Sequence, residues 1–144
     1  MAVSRFNFRA LRLLHPYPSE VPWQLLQTVE PDRTRLEGWI QGGMLRMALL
    51  DDTPVAAYIL RQQDITNFEL LLLVVAPALR RQGLGRWMLG HAVGIAESKG
   101  GRNVHVTLPE PQSQMSTLLA GFGFTVAPGS APGSEAWTLT LMRE

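Results

Sequence analysis

The spacing of apolar and polar positions changes along the chain, and each change predicts an element. Near the start, Phe6, Phe8 and Ala10 alternate with Arg5, Asn7 and Arg9, the period of two that a half-buried strand requires. Ser19 is placed to cap a short helix that begins near Pro22, carries Trp23, Leu25, Leu26 and Val29, and ends at Pro31. Asp32 is placed to cap a second, holding Leu36, Trp39 and Ile40 and stopped by Gly42 and Gly43. Strands over residues 44–50 and 55–61 flank the turn cluster Asp51, Asp52, Thr53 and Pro54. Residues 67–76 (NFELLLLVVA) are rich in leucine and valine without alternation, which predicts a strand buried on both faces in mid-sheet. A helix over 83–99 follows, with Leu84, Trp87, Met88, Ala92, Ile95 and Ala96 on one face and Gly100 and Gly101 as its stop. A strand over 103–108, a helix over 112–120 and strands near Phe124 and Trp137 complete the order, with residues 127–134 as the last loop.

Composition narrows the classes. With 144 residues, 46% apolar and 17% charged, residues 1–144 are expected to form a single domain. The absence of cysteine excludes disulfides, thiolate metal sites and a cysteine nucleophile, and three scattered histidines, His15, His91 and His105, predict no metal centre. Arg5, Arg9 and Arg12 break up any signal-peptide-like run, and the apolar stretch 70–79 is interrupted by Pro77 and too short to span a bilayer. A soluble, cytoplasmic protein is expected, monomer or homodimer, with no membrane partner. A net charge of +1 argues against nucleic acid as the main ligand. That sum hides a cluster: twelve of the thirteen basic residues are arginine, and Arg80, Arg81 and Arg86 crowd into one segment.

The cluster belongs to the stretch Val75-Ala-Pro-Ala-Leu-Arg80-Arg81-Gln82-Gly83-Leu84-Gly85-Arg86, a strand turning into a helix whose first turn is glycine-rich. The first N–H groups of a helix lack internal partners, the helix dipole adds positive charge there, and glycine lets an anion approach the backbone. A dinucleotide fold would need a third glycine where Met88 stands, and a P-loop would need Gly-Lys-Ser/Thr, so neither fits.

Arg80-x-x-Gly83-x-Gly85, the string RQGLGR and the order of predicted elements together resemble the GCN5-related N-acetyltransferase (GNAT) superfamily. Residues 112–124 are also similar to that family's second motif, with Leu118, Gly123 and Phe124 in register. The resemblance implies an α/β (α+β) GNAT fold, with a mixed central sheet of about seven strands, four helices and a splay between the fourth and fifth strands. It implies acetyl-CoA as cosubstrate and no metal. Its pyrophosphate would lie on Arg80, Arg81, Gln82, Gly83, Leu84, Gly85 and Arg86, and its pantetheine arm would pair with the backbone of Leu73, Val74 and Val75. Gln112 takes the place of the second motif's asparagine.

Acetyl transfer to an amine requires a base, an oxyanion donor and a proton for the departing thiolate. Glu69 lies eleven residues before Arg80, the spacing at which histone-acetylating relatives carry their catalytic glutamate. It is read either as the general base, its pKa raised by partial burial, or as an ordinary strand-end carboxylate. A main-chain N–H of Val74 or Val75 is the oxyanion candidate. The tyrosine that many relatives use as general acid aligns with Leu119, which has no proton to give, leaving Ser116 as a substitute, with Thr117 and His105 as lesser ones. Thr107 stands where relatives that acetylate ribosomal-protein N termini often carry glutamate, which disfavours that role. Two functions remain: direct transfer of acetyl from acetyl-CoA to the amine of a small molecule or protein, or a catalytically silent acyl-CoA-binding regulator of a partner protein. Trp23, Trp39 and Trp137, near the expected acceptor side, are read as core.

Overall fold

The computed structural model describes residues 7–108, 113–126 and 135–141. Seven strands form one sheet in the order β1-β2-β3-β4-β5-β7-β6: β1 (Leu11–Leu14), β2 (Met44–Leu50), β3 (Thr53–Gln62), β4 (Asn67–Val75), β5 (Asn103–Leu108), β6 (Thr125–Val126) and β7 (Glu135–Thr140). Four α-helices accompany them among the described residues: α1 (Trp23–Leu26), α2 (Arg33–Gly42), α3 (Leu84–Ser98) and α4 (Ser113–Phe122). The sheet is mixed, because β4 and β5 run parallel while every other neighbouring pair is antiparallel.

Two apolar layers sandwich this sheet. On one face Tyr58, Leu60, Phe68, Leu70 and Leu73 pack under the buried side of α3; on the other, Leu45, Ala57, Ile59, Leu72 and Val74 meet Leu26 of α1 and Leu36 of α2. This two-sided burial is why β4 reads as a run of leucine and valine with no polar face.

Local chemistry sets the ends of the elements. Asp32 Oδ1 accepts from the Thr34 and Arg35 N–H groups (3.0 and 3.2 Å), capping α2 as its position predicts. Asp51 and Asp52 both take positive φ (49° and 62°), so the β2–β3 hairpin closes in two residues and β3 starts at Thr53, with Pro54 beside a bulge. At the end of α3, Gly100 N–H bonds Glu97 O and Gly101 N–H bonds Ala96 O, a Schellman closure with Gly100 at φ +86°. A Cβ on Gly101 would lie 2.7 Å from Ala96 O and 2.8 Å from the Phe68 ring. Gly101→Ala is therefore expected to destabilise the fold by about 1–3 kcal/mol through overpacking, read as a lower urea midpoint at unchanged slope.

Three sequence expectations need correction. The first strand is not at Phe6–Ala10: Phe6 lies outside the described residues, Phe8–Ala10 is a 3-10 turn, and the strand is Leu11–Leu14. Asn7 is the cause, since its Oδ1 accepts from Arg9 N–H (3.1 Å) and folds the chain back on itself. The first helix is shorter than its pattern suggests, because Thr28 Oγ1 bonds Leu25 O (2.6 Å) just past its end and leaves Val29 outside it; Ser19 sits in a separate 3-10 turn rather than capping it. The buried stripe of α3 is Leu84, Met88, Leu89, Ala92, Val93 and Ala96, so Trp87 and Ile95 sit at its margin. The loop over residues 127–134 lies outside the described residues.

Candidate acyl-donor site

The pairing of β4 with β5 covers only Asn67–Asn103, Phe68–Val104 and Glu69–His105. Beyond that point β5 pairs only with β7, and a gap opens along the second half of β4. The ladder to β3 shows which backbone groups face it. Ala76 N–H donates to Val55 O (2.7 Å), so with a period of two Val74 also bonds towards Ala57 in β3. Leu73 and Val75 therefore turn their N–H and C=O groups into the gap, where these need partners. Val75 O already accepts from Arg80 Nε (3.3 Å).

At the open end of β4 the chain makes a 3-10 turn over Pro77–Leu79 and then places two residues, Arg81 (φ 67°) and Gly83 (φ 83°), in the left-handed region. A left-handed arginine stores strain that glycine would not, a feature that clusters at binding sites. Gly83 then begins α3 with no side-chain cap, and the first helix bond runs from Trp87 N–H to Gly83 O (3.0 Å). The N–H groups of Leu84, Gly85 and Arg86 are thus left without helix partners at the positive end of a 15-residue helix.

A groove of about 420 Å³ joins the gap to this turn and is lined by Leu73, Val74, Val75, Arg80, Arg81 and Gly85. Six of the residues singled out from the sequence thus share one cavity. Gln82, Gly83 and Arg86 lie on the other side of the turn, against a second cleft, and Leu84 is buried beneath it. Arg86 is drawn to α4: its Nη1 donates to Gly121 O (3.2 Å) and its guanidinium lies 5.6 Å from the Phe122 ring centre. Gln112 falls outside the described residues. The opposite wall of the groove comes from Thr28 and Val29 after α1 and from Gln114, Met115 and Leu118 of α4, none of which was singled out as a groove residue. One signal existed: Val29 is an apolar residue left 48% exposed.

The candidate proton-transfer residues are distributed unevenly. Glu69 sits at the closed end of the gap, its side chain 17% exposed, and Arg61 and Gln63 both donate to its Oε1. It therefore has polar partners rather than an apolar pocket. His105, its register partner, is engaged at both nitrogens, by Asn67 Oδ1 and Thr138 Oγ1 (3.0 Å each). Because Asn67 Nδ2 donates to the Asp64 carboxylate, Asn67 Oδ1 is an acceptor, so His105 Nε2 carries the proton. These donors, Asn67 foremost, hold the Asp64 carboxyl below the usual range. Ser116 points to β7, where its Oγ bonds Glu135 Oε1 (3.4 Å), and does not line the groove. Leu119 is fully buried in the core. Among the described residues no cluster of three or more His, Cys, Asp or Glu could hold a metal ion, and no helix is long and apolar enough to cross a membrane.

A sheet splayed after one short parallel pairing, with an uncapped glycine turn at the end of the open strand, defines an acyltransferase architecture, and the comparisons agree. Residues 8–124 match the acetyltransferase (GNAT) family, and the chain belongs to that family. The fold is similar to that of a GNAT family acetyltransferase from Elizabethkingia anophelis with acetyl-CoA bound (TM-score 0.82, 18% identity, 92% of this chain and 99% of that one). It is also similar to an IAA acetyltransferase from Bacillus cereus (TM-score 0.81, 18% identity, 91% and 99%). A third is the ribosomal-protein-S18-alanine N-acetyltransferase from Escherichia coli (TM-score 0.77, 16% identity, 93% and 96%). A search of curated proteins finds no match.

Proposed function

We propose that the protein transfers an acetyl group from acetyl-CoA to an amine by direct attack while both are bound. The observation that carries this reading is the continuity of the β4 gap with the α3 turn, which matches a ligand with an extended amide-bearing arm joined to a diphosphate. The unpaired N–H groups of Leu84, Gly85 and Arg86 suit the diphosphate, with Arg81 beside it. Leu73 and Val75 offer the amides of the arm the pairing that a strand edge offers a peptide. The N–H of Leu73, deeper in the gap than Val75 and nearer Glu69, is assigned to the thioester oxygen as negative charge develops on it. Glu69 is assigned as the base that removes the amine proton, directly or through a water, by its other oxygen, Oε2.

The thiolate needs no protein acid in this scheme, since solvent can protonate it. With Leu119 buried and Ser116 held by Glu135, neither is assigned that role. The same loss of a tyrosine supports a second reading, an acyl-CoA-responsive regulator that binds without turning over.

The tests follow in order. Acetyl-CoA at 100 times its dissociation constant is expected to stabilise the protein by about 2.7 kcal/mol, seen as a rise in Tm. No rise would overturn both readings. Thiol release over a panel of amines then separates them: turnover on any amine supports the transferase, and binding with no turnover on any supports the regulator.

A further inference from the structure

On the face of the sheet that α1 and α2 cover, the apolar layer ends abruptly. Leu45, Ala57, Ile59, Leu72 and Val74 make the buried layer there, and the next position along β3 on that face is Arg61. Glu69 joins it because of a bulge. Leu70 pairs with Leu60 and Leu72 with Ile59, so Leu71 is an extra residue of β4 and puts Glu69 on the same face as Leu72 and Val74. Arg61 and Glu69 are then register partners, and His105 and Thr138 continue the row across β5 and β7. Neither apolar layer of the sheet includes any of these four residues. The result is a polar floor at the closed end of the gap, around the group assigned as base.

One opposite-charge pair sets the chemistry of this floor. Arg61 Nη2 donates to Glu69 Oε1, with side chains 40% and 17% exposed, and Gln63 Nε2 donates to the same oxygen (3.3 Å). A guanidinium carries five N–H donors in a planar fork. Among the described residues only Nη2 is engaged, so the Nε and Nη1 donors are open to an anion, and Glu69 Oε2 is open to an ammonium. The floor offers a polycation no second carboxylate among the described residues. Asp64 is bound by Thr66 and Asn67, and Glu135 accepts from Ser116 of α4, on the other face.

Resting on the reading of the protein as an acetyltransferase with Glu69 as its base, we propose that the acceptor is a free α-amino acid, whose ammonium and carboxylate are the reverse of the Glu69–Arg61 pair. The ammonium meets Glu69 Oε2 and the carboxylate meets the open donors of Arg61, so neighbouring side chains of one strand ladder engage both charges of the substrate. An amine without a carboxylate leaves those donors unpaired, which is how a site built to bond one group rejects the analogue that lacks it. Transfer replaces the thioester C–S bond by a C–N bond. Of the three ammonium protons, one goes to Glu69 before attack and on to solvent, one leaves the nitrogen for solvent after it, and one stays in the amide. CoA departs as the thiolate and takes a proton from solvent.

The test is thiol release from acetyl-CoA with the twenty common α-amino acids, each beside its α-carboxamide. A charge-assisted hydrogen bond of the usual size predicts that the wild type prefers the best amino acid over its carboxamide by at least about tenfold in kcat/KM. The carboxamide is a stringent control, since its amine is less basic and more of it is unprotonated at neutral pH. Arg61→Gln is expected to bring the ratio near one whatever it does to the absolute rate, and Arg61→Lys, which keeps the charge without the fork, to retain part of it. If Arg61 served only to hold Glu69, its replacement would slow acid and amide alike and leave the ratio unchanged. Turnover of amines by the wild type with no preference for the free carboxylate, or a ratio unchanged in Arg61→Gln, overturns the amino-acid acceptor and leaves the transferase standing. Binding of acetyl-CoA with no turnover of any amine overturns the transferase reading itself, and this inference with it.

Discussion

Gly83→Asp is expected to abolish CoA binding, with affinity falling more than a hundredfold, while the apo protein stays folded. Two effects act on the fold in opposite directions. Gly83 has φ +83°, which costs a non-glycine residue about 1 kcal/mol or more, although aspartate tolerates that region better than most. A carboxylate at the start of α3 interacts favourably with the helix N-terminus by about 0.3–1 kcal/mol. The ligand suffers a larger effect of one sign. Wherever its side chain comes within about 4 Å of a diphosphate charge held on the Leu84, Gly85 and Arg86 N–H groups, the carboxylate opposes that charge by about 4 kcal/mol per pair. Gly83→Asn separates the causes, because it carries the same backbone strain without the charge. Titration calorimetry should show about a tenfold loss for asparagine and no measurable binding for aspartate, with both Tm values within a few degrees of wild type. Retained CoA affinity in Gly83→Asp would show that the diphosphate lies elsewhere.

That turn was legible in the sequence because its chemistry is local. An uncapped helix start, two glycines and adjacent arginines fall within a dozen residues, and β4 announces itself by apolar residues on both faces. The other wall of the groove was not legible for the opposite reason. Val29 reads as one more apolar residue of a helix until Thr28 ends that helix early, and Met115 and Leu118 read as core until α4 is set across the gap. Trp87 shows the same limit. Its spacing suits the buried stripe, but Leu89 and Val93 rotate the buried face of α3 and leave the indole beside Phe8 at the margin. Periodicity identifies a helix more reliably than it identifies which side of it is covered.

The proton-transfer residues test that distinction most directly. Glu69 was singled out by spacing from Arg80, and the structure adds Arg61 and Gln63 on one oxygen and a doubly bonded His105 alongside. With His105 Nε2–H committed to Asn67 Oδ1 and Nδ1 within hydrogen-bond distance of Thr138 Oγ1, Glu69 remains the proposed base. Glu69→Gln keeps the size and the ability to accept from Arg61 while removing the capacity to accept a proton. It is expected to lower kcat by about 10²–10⁴ on whichever amine the thiol-release assay identifies. CoA affinity should stay within about twofold, since the proposed diphosphate contacts lie beyond the other end of β4. Glu69→Asp should recover part of the rate, because it restores the carboxylate one methylene short of its place. A Glu69→Gln enzyme within threefold of wild-type kcat would reduce Glu69 to the ion-pair partner of Arg61 and assign the amine proton to solvent.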